Sequence, residues 1–429
     1  MIKVKWLLIG LLIIALAVLP VLGCAAPAEE EEEEEEVGPT GTVYIGGLFG
    51  LTGPWAEDCQ AVLAAFQDYA AWVNANHKVS PWGPAFPAGV TLEVKYMDDG
   101  CVNSALGLTN YQIMRQEGVL VTRISGSAIA TALKERLISD EVGATSQASG
   151  PYLLTAPLAT IFMNYPIYTD QLAAIADWFK AKWTSAEKPR VCYLNNDSFG
   201  RSVPTPAMTA YLQSKGFEVI LPNQEVPSVP TTDPTAVWQF IIDNDIDLVL
   251  GAHTCIGSVP LMKWATQHDI GYNLAHNVTF GFCSPSHLCV YLRDQENPAV
   301  NGNGLVVAGS YPCFGSDVPG VQFAQQIQAL AGHTVTHIMY LHGLVEAMIQ
   351  VEAFRLALAN TGKSPDQLTS ADVLNNGFRK IAGLDTGGII PTTLTYGPSD
   401  IEGAETVVVH QNQNGNMVTL GTWPLRHVY

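Results

Sequence analysis

The sequence predicts an α/β fold made of two doubly wound, Rossmann-like lobes. Three observations carry that prediction. Short apolar runs ending in Gly, Ser, Asp or Asn alternate with longer segments of helical period, a pattern that builds a parallel sheet covered on both faces. The series starts twice along the chain. A length of 429 residues also suffices for two domains with full cores.

The amino terminus is set apart from both series. Lys3 and Lys5 precede an apolar stretch from Trp6 to Leu22 that ends in Val21-Leu22-Gly23-Cys24. This is the pattern of a secretory signal over residues 1–24, with an uncleaved membrane anchor as the alternative. The segment VLGC resembles the bacterial lipoprotein box, which implies that Cys24 is acylated and becomes the mature amino terminus. The eight residues Glu29 to Glu36 supply a large part of the formal charge of −19. Such a run is a solvated, self-repelling tether, and residues 25–40 are expected to hold the folded part clear of the membrane. Either reading of the signal places residues 41–429 outside the cytoplasm. No basic cluster occurs, so nucleic acid is not expected as a partner.

The first series opens with "TVYIGGLFG", a strand that enters a glycine-rich turn and then a helix from Glu57 to Asn74. Val62, Phe66, Ala70 and Val73 recur on one face of that helix. "VTLEVKYMDDG", "GVLVTRISGS" and "VGATSQASG" continue the alternation. After "PLATIFMNYPIYTDQ" it restarts with "RVCYLNND", "FEVILP", "DIDLVLGAHT", "NVTFGF" and "GLVVAGSYP". Open α/β sheets bind ligands at the carboxyl ends of their strands. The residues to examine are therefore Gly46 to Trp55, Ser125 to Ser127 and Ser146 to Ser149 in the first series. In the second they are Asn195 to Phe199, His253 with Thr254, and a turn at Phe280 to Phe282. Gly46, Gly47, Gly50 and Gly53 match neither the phosphate-loop nor the dinucleotide spacing, so nucleotide binding is not expected.

Seven cysteines besides Cys24 suit an oxidising compartment. Cys59 opens the first helix and Cys101 follows the next strand, which places both at one sheet edge and makes them the expected disulfide. Cys192 lies inside an apolar strand and is expected as a buried free thiol. The pairing of Cys255, Cys283, Cys289 and Cys313 is left open, and no close-set pair of zinc ligands is present.

Three stretches carry a family resemblance. "GLFGLTGPWAEDCQAVLAAFQDYAAWVN" resembles the first βα unit of the type I periplasmic binding proteins of ABC transporters, specifically the leucine/isoleucine/valine-binding family. "YMDDGCVNSALGLTNYQIMRQEGVLV" is similar to the second unit, and "YGPSDIEGAETVVVHQNQNGNMVTLGTW" to the carboxyl-terminal hairpin. The resemblance implies two lobes joined by three crossings, with a hinge and an interlobe ligand cleft. Lobe one would be residues 41–165 plus 314–395, and lobe two residues 166–313 plus 396–429. Trp55 would lie against the ligand, the alternative being that it packs beneath its helix. Ser127, Gln147, Ala148 and Ser149 would hold a carboxylate, aided by two helix amino termini; the alternative role for each serine is a helix cap. Phe199 would close over the ligand from lobe two, with His253 and Thr254 as polar contacts. Phe282 stands where the family brings an acidic side chain to the ligand's ammonium. That departure favours a small carboxylate with an apolar or aromatic body, or a neutral amide, over a zwitterionic amino acid.

The resemblance also implies a monomeric receptor on the outer face of the membrane that serves an ABC permease and needs no cofactor. A sensory receptor of the same fold is a second reading. An extracellular hydrolase is a third, but no G-x-S-x-G elbow occurs, and Ser185 to Lys188 lacks the companion motifs of an S-x-x-K enzyme. His333, His337 and His342 lack an H-E-x-x-H frame and are expected as ordinary histidines rather than metal ligands.

Overall fold

The computed structural model describes residues 38–53, 55–197, 199–226, 233–253, 279–283, 303–309, 311–312, 314, 316–335 and 337–429. Cys24, the glutamate run, Thr254, Cys255, Cys289 and Cys313 lie outside them, as does the side chain of Cys283.

β1 (Gly41–Phe49) pairs in parallel with β2 (Val90–Asp98), and β3 (Val121–Ile124), β4 (Gly143–Ser146) and β5 (Ile161–Phe162) form a second parallel set. The two sets meet at Gly47, where an added Cβ would lie 2.1 Å from Arg123 N. The strand order β2-β1-β3-β4-β5 therefore reverses between β1 and β3, at a switch point of the kind that binds ligands.

Around these strands pack α1 (Ala56–Asn76), α2 (Ser104–Gln116), α3 (Ser127–Ser139), and later in the chain α7 (Pro319–Ala331), α8 (Met339–Thr361) and α9 (Ser370–Asn376). The predicted face of α1 is the buried one, and Val62, Phe66, Ala70 and Val73 all enter the core. α8 is buried along most of its length and reaches α1 through Gly343, where a Cβ would meet Val62 O at 2.6 Å. This core extends to Tyr396, Ile401 and Ala404, past the expected crossing at 395/396.

The second sheet runs β7 (Glu218–Val226), β6 (Arg190–Asn196), β8 (Leu248–Ala252), β9 (Thr279–Cys283), β10 (Val306–Gly309), all parallel. β11 (Thr406–Gln413) and β12 (Asn416–Pro424) add an antiparallel hairpin turned at Asn414-Gly415, both at positive φ. α4 (Tyr168–Lys182) and α5 (Pro206–Ser214) pack into one apolar cluster with this sheet, and α6 (Thr235–Asp243) into another. Here the order reverses between β6 and β8, so Asn195 to Phe199 and His253 lie at the second switch point. Phe280 to Phe282 do not form the expected turn. They lie inside β9, because Thr279–Cys283 fills the ladder between β8 and β10.

Candidate functional site

One aspartate shapes the turn after β1. Asp98 Oδ1 accepts the N–H groups of Leu51 at 2.8 Å, Thr52 at 3.1 Å and Gly100 at 2.9 Å, and Oδ2 accepts the Thr52 hydroxyl at 2.5 Å. Partial burial opposes its charge, but these donors outweigh burial and hold the carboxyl below its usual range. Gly53 sits at φ +98°, with Gly100 O only 2.8 Å from where its Cβ would be. The glycine-rich stretch is thus a close-fitting turn whose Leu51 and Thr52 N–H groups are committed to Asp98.

The turn delivers Trp55 to the start of α1. Its ring lies beside Gly126, where an added Cβ would come within 4.0 Å of Cζ3, and its Nε1 is buried without a hydrogen-bond partner among the described residues. Ser127 follows Gly126 and opens α3, and its Oγ lies 3.5 Å from the Tyr168 hydroxyl at the first turn of α4. The carbonyl of buried Ser149 accepts the Tyr168 N–H at 2.9 Å, while Ser149 Oγ has no hydrogen-bond partner among the described residues. Phe199, in a short 3-10 turn after β6, sets its ring 5.3 Å from that of Tyr168. Ser127 and Ser149 of the first lobe and Phe199 of the second therefore meet around Tyr168, with the Trp55 ring beside Gly126, the residue before Ser127. Sequence reasoning passed over Tyr168; its signal was an aromatic placed directly after the first crossing, in "YPIYTDQ".

Gln147 and Ala148 face inward from the same wall. Ala148 is buried in the first core, and its N–H donates to Ser146 Oγ at 2.9 Å. Gln147 Oε1 accepts from Arg123 Nη2 at 2.9 Å, and its carbonyl accepts the Tyr165 hydroxyl. Arg123 is fully enclosed. Its Nε donates to Glu346 Oε2 at 2.9 Å and its Nη1 to Leu48 O at 3.3 Å. Burial pushes the Glu346 carboxyl up to about 7 in spite of the guanidinium. Burial and then Arg123 push His342 down to about 3, so its ring is neutral. His342 stands 3.3 Å from Glu346 Oε1 and 3.4 Å from Asn164 Nδ2. A buried polar chain thus links Gln147 to the first crossing.

Other expected residues lie elsewhere. His253 is buried and its Nε2 bonds to Leu194 O at 2.6 Å. Phe282 packs in the cluster of Trp238, Phe280 and Val307 with its ring 4.7 Å from His253, so it supports the sheet. His333 faces Asp68 at 3.1 Å and His337 faces Asp58 at 3.0 Å, so these two do not converge with His342. Cys59 and Cys101 are not joined here: both are buried free thiols, and Cys101 Sγ lies 3.1 Å from Thr52 O. The hydrogen bond from Cys101 lowers the Cys59 thiol, with Arg123 assisting against burial, and the same bond raises Cys101. Cys192 is a free thiol that burial pushes up to about 12. An open groove of about 570 Å³, lined by Pro39, Phe86, Pro87, Arg355 and Leu358, lies by the amino ends of β1 and β2, opposite the switch points.

The family model described as periplasmic binding protein matches residues 42–401. No curated protein matches the sequence. Among solved structures, a branched-chain amino acid ABC transporter protein from Thermus thermophilus with bound valine shares 17% identity, covering 91% of this chain and 98% of that one at a TM-score of 0.76. A fatty acid ABC transporter substrate-binding protein from Thermomonospora curvata has 17% identity, coverage of 91% and 95%, and a TM-score of 0.71. A solute-binding protein from R. palustris in complex with benzoate has 13% identity, coverage of 90% and 97%, and a TM-score of 0.68. At these identities the likeness establishes the fold.

Proposed function

The chain belongs to the periplasmic binding protein family, and on that premise we propose that it captures a small organic solute between its lobes, outside the cytoplasm, and delivers it to an ABC permease. One observation carries the proposal. Trp55 Nε1 and Ser149 Oγ are buried donors without hydrogen-bond partners among the described residues; the Trp55 ring lies beside Gly126, the residue before Ser127, and the Ser149 carbonyl holds the Tyr168 N–H. Buried donors are satisfied in native proteins, and two of them on the loops after the carboxyl ends of β1 and β4 suit a ligand oxygen.

The solute is a carboxylate with an apolar or aromatic body, or a neutral amide. Ser127, Ser149 and the amino terminus of α3 favour an anionic or polar oxygen, and Trp55 and Phe199 offer apolar faces. A fatty acid and benzoate, named for two structural relatives, are carboxylates with apolar bodies and no ammonium, whereas the valine named for a third carries one. Gln147 lines the same wall, with Ala148 in the supporting layer. Cys24 carries the lipid that holds a monomeric receptor at the membrane, and Cys59 and Cys101 join on oxidation, which non-reducing mass measurement would detect as the loss of two hydrogens.

A thermal-shift screen against amino acids, short and aromatic carboxylates, and small amides tests the ligand class. The expected result is a raised midpoint with a non-amino carboxylate or an amide, a shift that S149A and W55A each abolish. If only aliphatic α-amino acids stabilise, an acid reaches the cleft and the ligand class is wrong. If no solute of any class shifts the midpoint, solute capture itself fails.

A further inference from the structure

Away from the cleft, three side chains converge where the first and third crossings meet the carboxyl-terminal tail. Asp170, Glu402 and His427 each offer one ligand atom, and these atoms lie within 4.8 Å of one another. Asp170 sits in the first turn of α4 and is 1% exposed. Its Oδ1 accepts the Val428 N–H at 2.9 Å, and its Oδ2 has no hydrogen-bond partner among the described residues. Glu402 is 6% exposed, on the segment bridged to Met163, and its Oε1 likewise lacks a partner among the described residues. His427 is exposed, with Nδ1 3.7 Å from Glu402 Oε2.

We propose that Asp170, Glu402 and His427 bind one divalent transition-metal cation, Zn²⁺ or Mn²⁺, at the junction of hinge and tail. Two buried carboxylates at this spacing repel each other and forgo hydration, and a cation between them removes both penalties. One imidazole with two carboxylates is a donor set for Zn²⁺ or Mn²⁺, whereas Mg²⁺ and Ca²⁺ prefer oxygen alone. Metal–ligand bonds of about 2.1 Å span donor pairs up to about 4 Å apart, so a modest rotation of the exposed His427 closes the set. The histidine is also the solvent-facing member, which gives the ion its entry path and leaves positions for water.

The rival arrangement is a proton shared by the two carboxyls. To separate them, the purified chain is stripped with a chelator, supplied with ZnCl₂, MnCl₂ or MgCl₂, desalted, and assayed for retained metal and thermal midpoint. One equivalent of Zn²⁺ or Mn²⁺ should be retained with a midpoint rise of several degrees, and Mg²⁺ should give neither. E402Q and D170N should abolish retention. H427Q changes an exposed side chain that the fold does not need, and it should weaken affinity at least tenfold with the metal-free midpoint unchanged. Retention that survives both H427Q and E402Q would assign the ion to surface histidines and overturn the proposal. So would failure of the parent chain to retain any ion.

Discussion

At Arg123 an ion pair is wholly enclosed, which makes its worth depend on both partners being present. Removing each ion from water costs several kcal/mol, so the pair adds little net stability, yet loss of one partner strands a buried charge. E346A should therefore cost about 3–5 kcal/mol in urea denaturation, and the double variant R123L/E346L should recover most of that loss. Equal losses in the two would show that the pair's hydrogen bonds to Leu48 and Gln147, not the stranded charge, set the cost. His410 poses a second buried titration. Burial holds it down to about 4, with Nδ1 3.2 Å from Thr419 Oγ1, against an ordinary value of 6.5. The unfolded chain protonates first, so the stability from the neutral ring is full above pH 6.5 and is lost as pH falls through 4. Glu346 has the opposite sign. Its carboxyl is raised from 4.5 to about 7, so its contribution is full below pH 4.5 and is lost as pH rises through 7. Where those windows overlap, from about pH 4.5 to 6.5, the two effects offset each other, and the parent protein's pH profile understates both. H410Q removes one of them. Its thermal midpoint should fall less than the parent's on acidification from neutral pH to about pH 4; an unchanged slope would mean that the imidazole ionises freely in the fold.

Among elements, the turn that holds Leu51, Thr52 and Gly53 ahead of Trp55 is the one on which the proposed cleft wall depends. Asp98 gathers three N–H groups and a hydroxyl there, so D98N loses charge and one acceptor without losing volume. The expected cost is about 1–2 kcal/mol, discounted because the turn is partly exposed. The stronger effect should be on ligand affinity, because the turn aims Trp55; binding that matches the parent's would detach Trp55 from the site. Much of the architecture could be read from the chain, since periodicity records burial locally: the face of α1 was visible in Val62, Phe66, Ala70 and Val73. Long-range facts were not legible. Tyr168 matters because a crossing carries α4 to Ser127, 41 residues away in sequence. Phe282 was placed too near the strand end because an apolar run such as "NVTFGF" does not mark where the chain leaves the sheet. The inward turn of Gln147 follows from Arg123, and a lone arginine within the apolar strand "VLVTRIS" was the available signal.

On the scale of the whole molecule, two separate cores exchange chain at three places. The chain leaves the first core after Ile167 and Ala404 for the second at Tyr168 and Val407, and it leaves the second after Ala308 for the first at Tyr311. Crossings this close in sequence to the changes of core leave few residues to absorb a change of lobe angle, so ligand energy is best used in selecting one arrangement of two rigid bodies. Tyr168 is positioned to report that arrangement. Its N–H is held by Ser149 of the first lobe, its hydroxyl approaches Ser127, and its ring faces Phe199 of the second. Y168F removes the hydroxyl alone and should leave the stability of the free protein within about 0.5 kcal/mol of the parent's. Y168A also removes the ring that spans the two lobes. It should weaken solute binding about tenfold, or about 1.4 kcal/mol, and reduce the compaction that small-angle scattering records when solute is added. If Y168A binds as tightly and compacts as fully as the parent, the lobes close on contacts other than these, and the cleft must be sought along the walls formed by His253 and its neighbours.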